Sequence, residues 1–135
     1  MNNKSFNEIK IGNRVSFLRH LTEDDMSNFV HLSGDNGPLH TDQAFAMGTK
    51  FQGKIIHGLL LATFFSRLIG VELPGNYSCL AMEFRFKSPA RIGDQVEVSG
   101  VVVSKSLSTG IVEIEVQIKK DEQILVEGRV HAQVL

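Results

Sequence analysis

Apolar and polar positions along this chain keep two different periods, and the change falls at Pro74 and Gly75. Before that point the chain reads as one short strand followed by helices and loops. RVSFLRHL, residues 14–21, sets Val15 and Phe17, with Arg19 in the same phase, against polar neighbours and predicts a strand. In TEDDMSNFVHLSG, Met26, Phe29 and Val30 recur at helical spacing, with Ser33 in the same stripe. Thr22 is suited to cap that helix, Asp25 sits at the reciprocal capping-box position, and Gly34 can end it in a left-handed turn. TDQAFAMG reads as one short helix, capped by Thr41 or Asp42 and stopped by Gly48. HGLLLATFFSRLIGVEL, residues 57–73, is apolar almost all round, with Thr63 the only polar residue from Leu59 to Phe65. Such a helix is normally buried, and its length favours helix over a buried strand.

After Gly75 the period becomes two. YSCLAMEFRFKSPA places Leu80, Met82, Phe84 and Phe86 on one face against Ala81, Glu83, Arg85 and Lys87. QVEVSGVVVSKS brings Val96 and Val98 and then Val101 to Val103, with Gly100 as a candidate bulge. GIVEIEVQIKK alternates Val112, Ile114, Val116 and Ile118 with polar residues, and QILVEGRVHAQVL makes a further strand after a hairpin turn in KKDEQ. The expected class is α+β, an antiparallel sheet with one face packed on the apolar helix.

The length of 135 residues suits one domain, residues 1–135, and no repeat or linker divides it. A formal net charge of -1 gives no general reason to bind nucleic acid or an anionic membrane. The longest apolar run, GLLLATFF, is too short to span a bilayer, and residues 1–12 carry no apolar leader. The single cysteine, Cys79, excludes an intramolecular disulfide and a cysteine-based zinc site. These features make a cytoplasmic protein the expectation.

The candidate chemistry lies in LSGDNGPLHTDQAF, where Asp35 and His40 stand five positions apart. Asp, Asn, Gly and Pro are also the residues of turns, so spacing alone leaves a structural role open. His57, just before the apolar helix, reads either as a participant in catalysis or as a residue that fixes the loop. His31 and His131 read as structural or surface histidines.

SGDNGPLHTDQAFA followed by KIIHGLLLATFFSRLIG resembles the MaoC-like, (R)-specific enoyl-CoA hydratase family. The likeness continues through ELPG and FKSPARIGDQV and covers most of the chain from about residue 14. It implies the hotdog fold, in which an antiparallel sheet wraps around one apolar helix, and a homodimer joined edge to edge. It implies (R)-specific hydration of trans-2-enoyl thioesters or the reverse dehydration, the work of a lyase of fatty-acid metabolism. By resemblance the catalytic pair is Asp35 and His40. The backbone N–H at Gly58 receives the thioester oxygen, Ser66 orients the Asp35 carboxylate, and His57 is a supporting residue. No metal or other cofactor is implied, since coenzyme A or phosphopantetheine arrives as part of the substrate. The family asparagine two positions after the aspartate is Gly37 here.

Four alternatives stand beside this reading. A hotdog thioesterase and the acyl-carrier-protein dehydratase type with an acidic residue on the central helix are disfavoured, because Gly58 to Val71 holds no Asp or Glu. An (R)-3-hydroxyacyl-ACP dehydratase built on Asp35 and His40 stays open. A non-catalytic acyl-thioester binding protein is motivated by Gly37. Leu60, Leu61, Phe64 and Phe65 can line an acyl tunnel, though core packing is their expected main role. Lys50, Lys54, Arg67, Arg85, Lys87 and Arg91 are candidate contacts for carrier phosphates.

Overall fold

A computed structural model describes residues 6–135. The reading of residues 1–12 as free of a leader falls partly outside them. Five antiparallel strands form one sheet: β1 (Arg14–His20), β2 (Tyr77–Phe86), β3 (Gln95–Lys105), β4 (Ile111–Lys120) and β5 (Gln123–Val134). Their order across the sheet is β1-β3-β4-β5-β2, so β1 and β2 are the edges. On β3 and β4, Val98, Val112, Ile114 and Ile118 point inward and are fully buried. The β4–β5 hairpin turns through Asp121 at φ 51°, as the KKDEQ stretch predicts.

The local helix signals act where the sequence puts them. Helix α1 (Glu23–Ser33) begins with a reciprocal box: Thr22 accepts from the Asp25 N–H, and the Asp25 side chain accepts from the Thr22 N–H. It ends at Gly34 with φ 77°. Two short helical turns follow, α2 (Pro38–Thr41) and α3 (Gln43–Met47). The helix expected over TDQAFAMG is α3, capped by Asp42 and ended at Gly48, and α2 is an extra turn before it. Pro38, with its fixed φ, starts a separate turn, and Asp42 caps the second by accepting from the Phe45 N–H.

The apolar helix is α4 (Gly58–Arg67), continued by a π-helical turn over Leu68–Glu72. Leu60, Leu61, Phe65 and Leu68 sink into the concave side of the sheet and close the core. Burial is not all round, as the composition suggested. Leu59 is 60% exposed, and Thr63, Ser66 and Arg67 share the open face.

Gly100 is not a bulge. It pairs regularly with Val15 and Val116, and the ladder slips instead between Val102 and Ser104. A Cβ at Gly100 would lie 2.9 Å from both Leu68 and Ile114 side chains, so the glycine lets the end of α4 press onto the sheet. A further irregularity falls in β2 between Cys79 and Ala81, and turns Leu80 outward to 50% exposure. Among the described residues no helix is long and apolar enough to cross a membrane.

Candidate active site

The loop after α1 and the first turn of α4 meet in a cleft of about 480 Å³. Its walls include Asp35, His40, Phe51, Ile55, His57, Gly58, Leu61 and Phe86. One polar atom from each of Asp35, His40 and His57 lies within 4.8 Å of the others.

Each group is held through the main chain. Ser33 donates to the Phe29 carbonyl and accepts from the Asp35 N–H, which fixes the chain as it leaves α1. The Asp35 carboxylate accepts from the Gly37 N–H at 3.1 Å, an Asx turn that holds the side chain against its own loop. Thr41 closes the loop by donating to the carbonyls of Asn36 and Gly37. The Nδ1 of His40 stands 2.8 Å from the Ile55 carbonyl. A carbonyl only accepts, so Nδ1 carries a proton, and in the neutral ring the lone pair is on Nε2.

His57 is 2% exposed and caps α4 by position, without a side-chain bond to the helix. Its Nε2–H donates instead to the Asp35 carbonyl at 2.9 Å. The other nitrogen, Nδ1, is buried with no partner among the described residues. The His57 ring stacks on His40 at 3.8 Å with 23° between planes, and Phe29 covers it at 4.8 Å. Burial holds the His57 pKa below the usual 6.5, and proximity to His40 adds to this; the bond to the Asp35 carbonyl opposes it. His57 is therefore held toward its neutral form.

The three groups do not make a metal site. A first-row ion sits about 2.1 Å from each imidazole nitrogen, in the plane of each ring. Rings stacked at 3.8 Å and 23° aim their lone pairs side by side and not at one point.

Gly58 opens α4, where the first N–H groups have no partner within the helix. The ring of Phe86 lies against it: a Cβ at Gly58 would meet three ring carbons at 2.7, 2.8 and 2.9 Å. Phe86 stood in the sequence reading only as an inward strand residue; it is 54% exposed and walls the cleft. The structure does not bring Ser66 to Asp35. Ser66 is exposed on the open face of α4, two turns beyond Gly58, and is not part of the cleft wall. Asn36 does not replace the family asparagine in the cleft wall either; that wall passes from Asp35 to His40. Of the four candidate tunnel residues, Leu61 alone reaches the cleft, while Leu60 and Phe65 are core. His31 is exposed on α1, and His131 lies 3.5 Å from Glu113 on the sheet.

A sheet wrapped on one apolar helix, with an acid and two histidines gathered at that helix's N-terminus, defines a hotdog-fold protein. Residues 7–124 match the family described as the MaoC like domain, and the chain belongs to that family. It is 36% identical over 110 residues to the (R)-specific enoyl-CoA hydratase of Aeromonas caviae, covering 78% of this chain and 82% of that one. It is 30% identical over 131 residues to a mitochondrial 3-hydroxyacyl-[acyl-carrier-protein] dehydratase of Solanum lycopersicum, covering 95% and 79%. The solved (R)-hydratase of A. caviae, involved in PHA biosynthesis, superposes with a TM-score of 0.90 at 30% identity over 95% of this chain and 98% of that one.

Proposed function

We propose that this protein is a hydro-lyase that adds water to trans-2-enoyl thioesters, giving (R)-3-hydroxyacyl thioesters, and runs the reverse dehydration. The observation that carries the reading is the convergence of Asp35 and His40 in a cleft that ends on the first turn of α4. A water held there gives one hydrogen to the Asp35 carboxylate and the other to the His40 Nε2 lone pair. Asp35 takes its proton as the oxygen adds to C3. The double-bond electrons move onto the thioester oxygen, which the Gly58 N–H and the positive end of α4 stabilise. The proton then passes to C2 on the same face, which completes a syn addition. No redox change occurs, so the reaction calls for no redox cofactor, and the pantetheine carrier arrives with the substrate.

His57 supports the pair from below, through its bond to the Asp35 carbonyl and its stack on His40. The chain works as a homodimer in this reading. The free edge of β2, the outward Leu80 and the open face of α4 at Leu59 are the surfaces that a second copy would cover. The lone exposed thiol of Cys79 fits a reducing compartment such as the cytoplasm.

The test is loss of the conjugated enoyl absorbance of crotonyl-CoA, with Asp35→Asn beside the wild type. The expected outcome is turnover by the wild type and a drop of roughly 10²–10⁴ in kcat for the variant. Turnover that survives in Asp35→Asn refutes the assignment. A wild type that binds short and medium acyl-CoA without turnover, and is equally silent on acyl-carrier-protein thioesters, makes the protein the catalytically silent binder that Gly37 suggests.

A further inference from the structure

The six cations that sequence alone offers to carrier phosphates part company in the fold. Arg91 is spent inside: it donates to the carbonyls of Phe51 and Lys54. Arg67 pairs with Glu72 and lies 4.0 Å over the Phe17 ring. Lys54 faces Glu23 at 3.9 Å, away from the cleft wall. Arg85 lines a separate groove on the sheet with Glu83, Glu127 and Arg129. Lys50 and Lys87 remain, and among the described residues they are the only lysines or arginines in the wall of the cleft that holds Asp35 and His40.

They come from two segments far apart in the chain, and both backbones are pinned. Lys50 rides the turn after α3, where Gln52 (φ 53°) and Gly53 (φ 147°) reverse the chain and Arg91 clamps the carbonyls on either side. Among the described residues Lys50 has no carboxylate partner; its Nζ lies 5.2 Å over the Phe51 ring. Lys87 follows the last residue of β2, and its N–H donates to the Leu125 carbonyl at 2.8 Å. Its ammonium pairs with Glu127 at 3.1 Å on the surface, a weak contact that a carrier phosphate can displace. Ser88, beside it in the wall, accepts from Gln123 through its hydroxyl oxygen and keeps its own proton to donate.

We propose that Lys50 and Lys87, with the Ser88 hydroxyl, form a clamp at the cleft mouth for the phosphate of a pantetheine carrier, so that the thioester is presented to Asp35, His40 and Gly58 from a fixed anionic anchor. The proposal rests on the thioester reading of the cleft. The clamp recognises a phosphate ester in either source, the diphosphate of coenzyme A or the phosphodiester of a carrier protein's arm. The overall charge of -1 means that these cations are not a sample of a generally basic surface.

The experiment compares wild type with Lys50→Gln/Lys87→Gln on three crotonyl thioesters: of coenzyme A, of 4′-phosphopantetheine, and of pantetheine, which has no phosphate. The clamp predicts that KM for the coenzyme A ester rises roughly tenfold with kcat nearly unchanged, and that the pantetheine ester is used equally by both proteins. A rise of the same size with the phosphopantetheine ester assigns the clamp to the phosphate that both carriers share. A rise confined to the coenzyme A ester assigns it to the adenosine-side phosphates. An equal loss on pantetheine, or no loss on any ester, overturns the proposal. Calorimetric titration of free coenzyme A into both proteins separates this from the catalytic reading. Binding by a wild type without turnover, weakened about tenfold in the variant, keeps the clamp and sinks the hydratase. Equal binding by both proteins sinks the clamp.

Discussion

Gly58→Ala sets two explanations of one glycine against each other. The first is chemical: without a Cβ, the substrate oxygen can reach the N–H at the head of α4. The second is steric: Phe86 occupies the space that a Cβ would need. Three ring carbons stand 2.7–2.9 Å from the ideal Cβ, about 1 Å inside normal carbon–carbon contact. The ring has somewhere to go, because Phe86 is 54% exposed. Moving it forfeits the edge-on contact with Phe84, whose centroid is 5.7 Å away, worth about 0.5–1.5 kcal/mol, and some buried ring surface. A destabilisation of about 1–2 kcal/mol follows, read as a melting temperature lowered by several degrees.

The effect on rate is expected to be larger and to have a different origin. A methyl group in the path of the enolate oxygen, with Phe86 swung toward the cleft, removes much of a donor whose loss typically costs about 10²–10³ in kcat. Gly58→Ala/Phe86→Ala separates the causes. Removing the ring removes the collision, so the double variant should melt near Phe86→Ala. If the oxygen needs the open space, the double variant still turns over crotonyl-CoA about 10²-fold more slowly than Phe86→Ala. Equal turnover by those two proteins would refute the reasoning, for glycine would then be there to accommodate Phe86 and not the substrate.

Two further predictions concern the residues around the pair. The depressed pKa of His57 makes the folded chain take up fewer protons than the unfolded one below the ordinary value of 6.5, so stability is full above that pH and falls as pH drops. Urea melts at about pH 7.5 and about pH 5 should show a fall of at most about 1.4 kcal/mol per pH unit from this group, reduced in His57→Gln; a variant that falls as steeply clears His57 of the effect. Gly37 has φ -50° and ψ 139°, open to any residue, but a Cβ there stands 3.1 Å from the Asp35 Oδ1. Gly37→Asn should keep the fold within about 1 kcal/mol and, by adding a second amide donor beside the carboxylate, raise kcat several-fold; an unchanged rate would mean that the Gly37 N–H already holds Asp35 well enough.

What the sequence made legible was what is decided locally. Thr22, Asp25 and Gly34 bound α1 through contacts no more than four residues apart, so their types alone predict its ends. The alternating strands read correctly because one face of each meets the core. The errors arose where distant packing decides. Gly100 looks like a bulge in a run of valines, but its role is to admit Leu68. The open face of α4 was hidden because Leu59 has the same character as its buried neighbours, and only the sheet's extent decides which of them is covered. Asp35 and His40 were found through the family motif. The bond from His57 to Asp35, 22 residues away, ends on a backbone carbonyl and leaves no trace in residue types.

That last point explains how two stacked histidines hold different roles. His40 is pinned through Nδ1 by the Ile55 carbonyl, which leaves Nε2 with a lone pair facing the cleft. His57 is pinned through Nε2 by the Asp35 carbonyl, which buries its lone pair. The acceptor, in each case a main-chain oxygen, selects the tautomer, and the tautomer selects the role. Asp35 is fixed in the same way, by the amide of Gly37. Because the partners of all three groups are backbone atoms, the identity of Asn36 or Gly37 matters less to the geometry than the number of residues between Asp35 and His40. An insertion there would move both carbonyl-anchored and amide-anchored groups at once, whereas a change of side chain in the loop leaves every anchor in place.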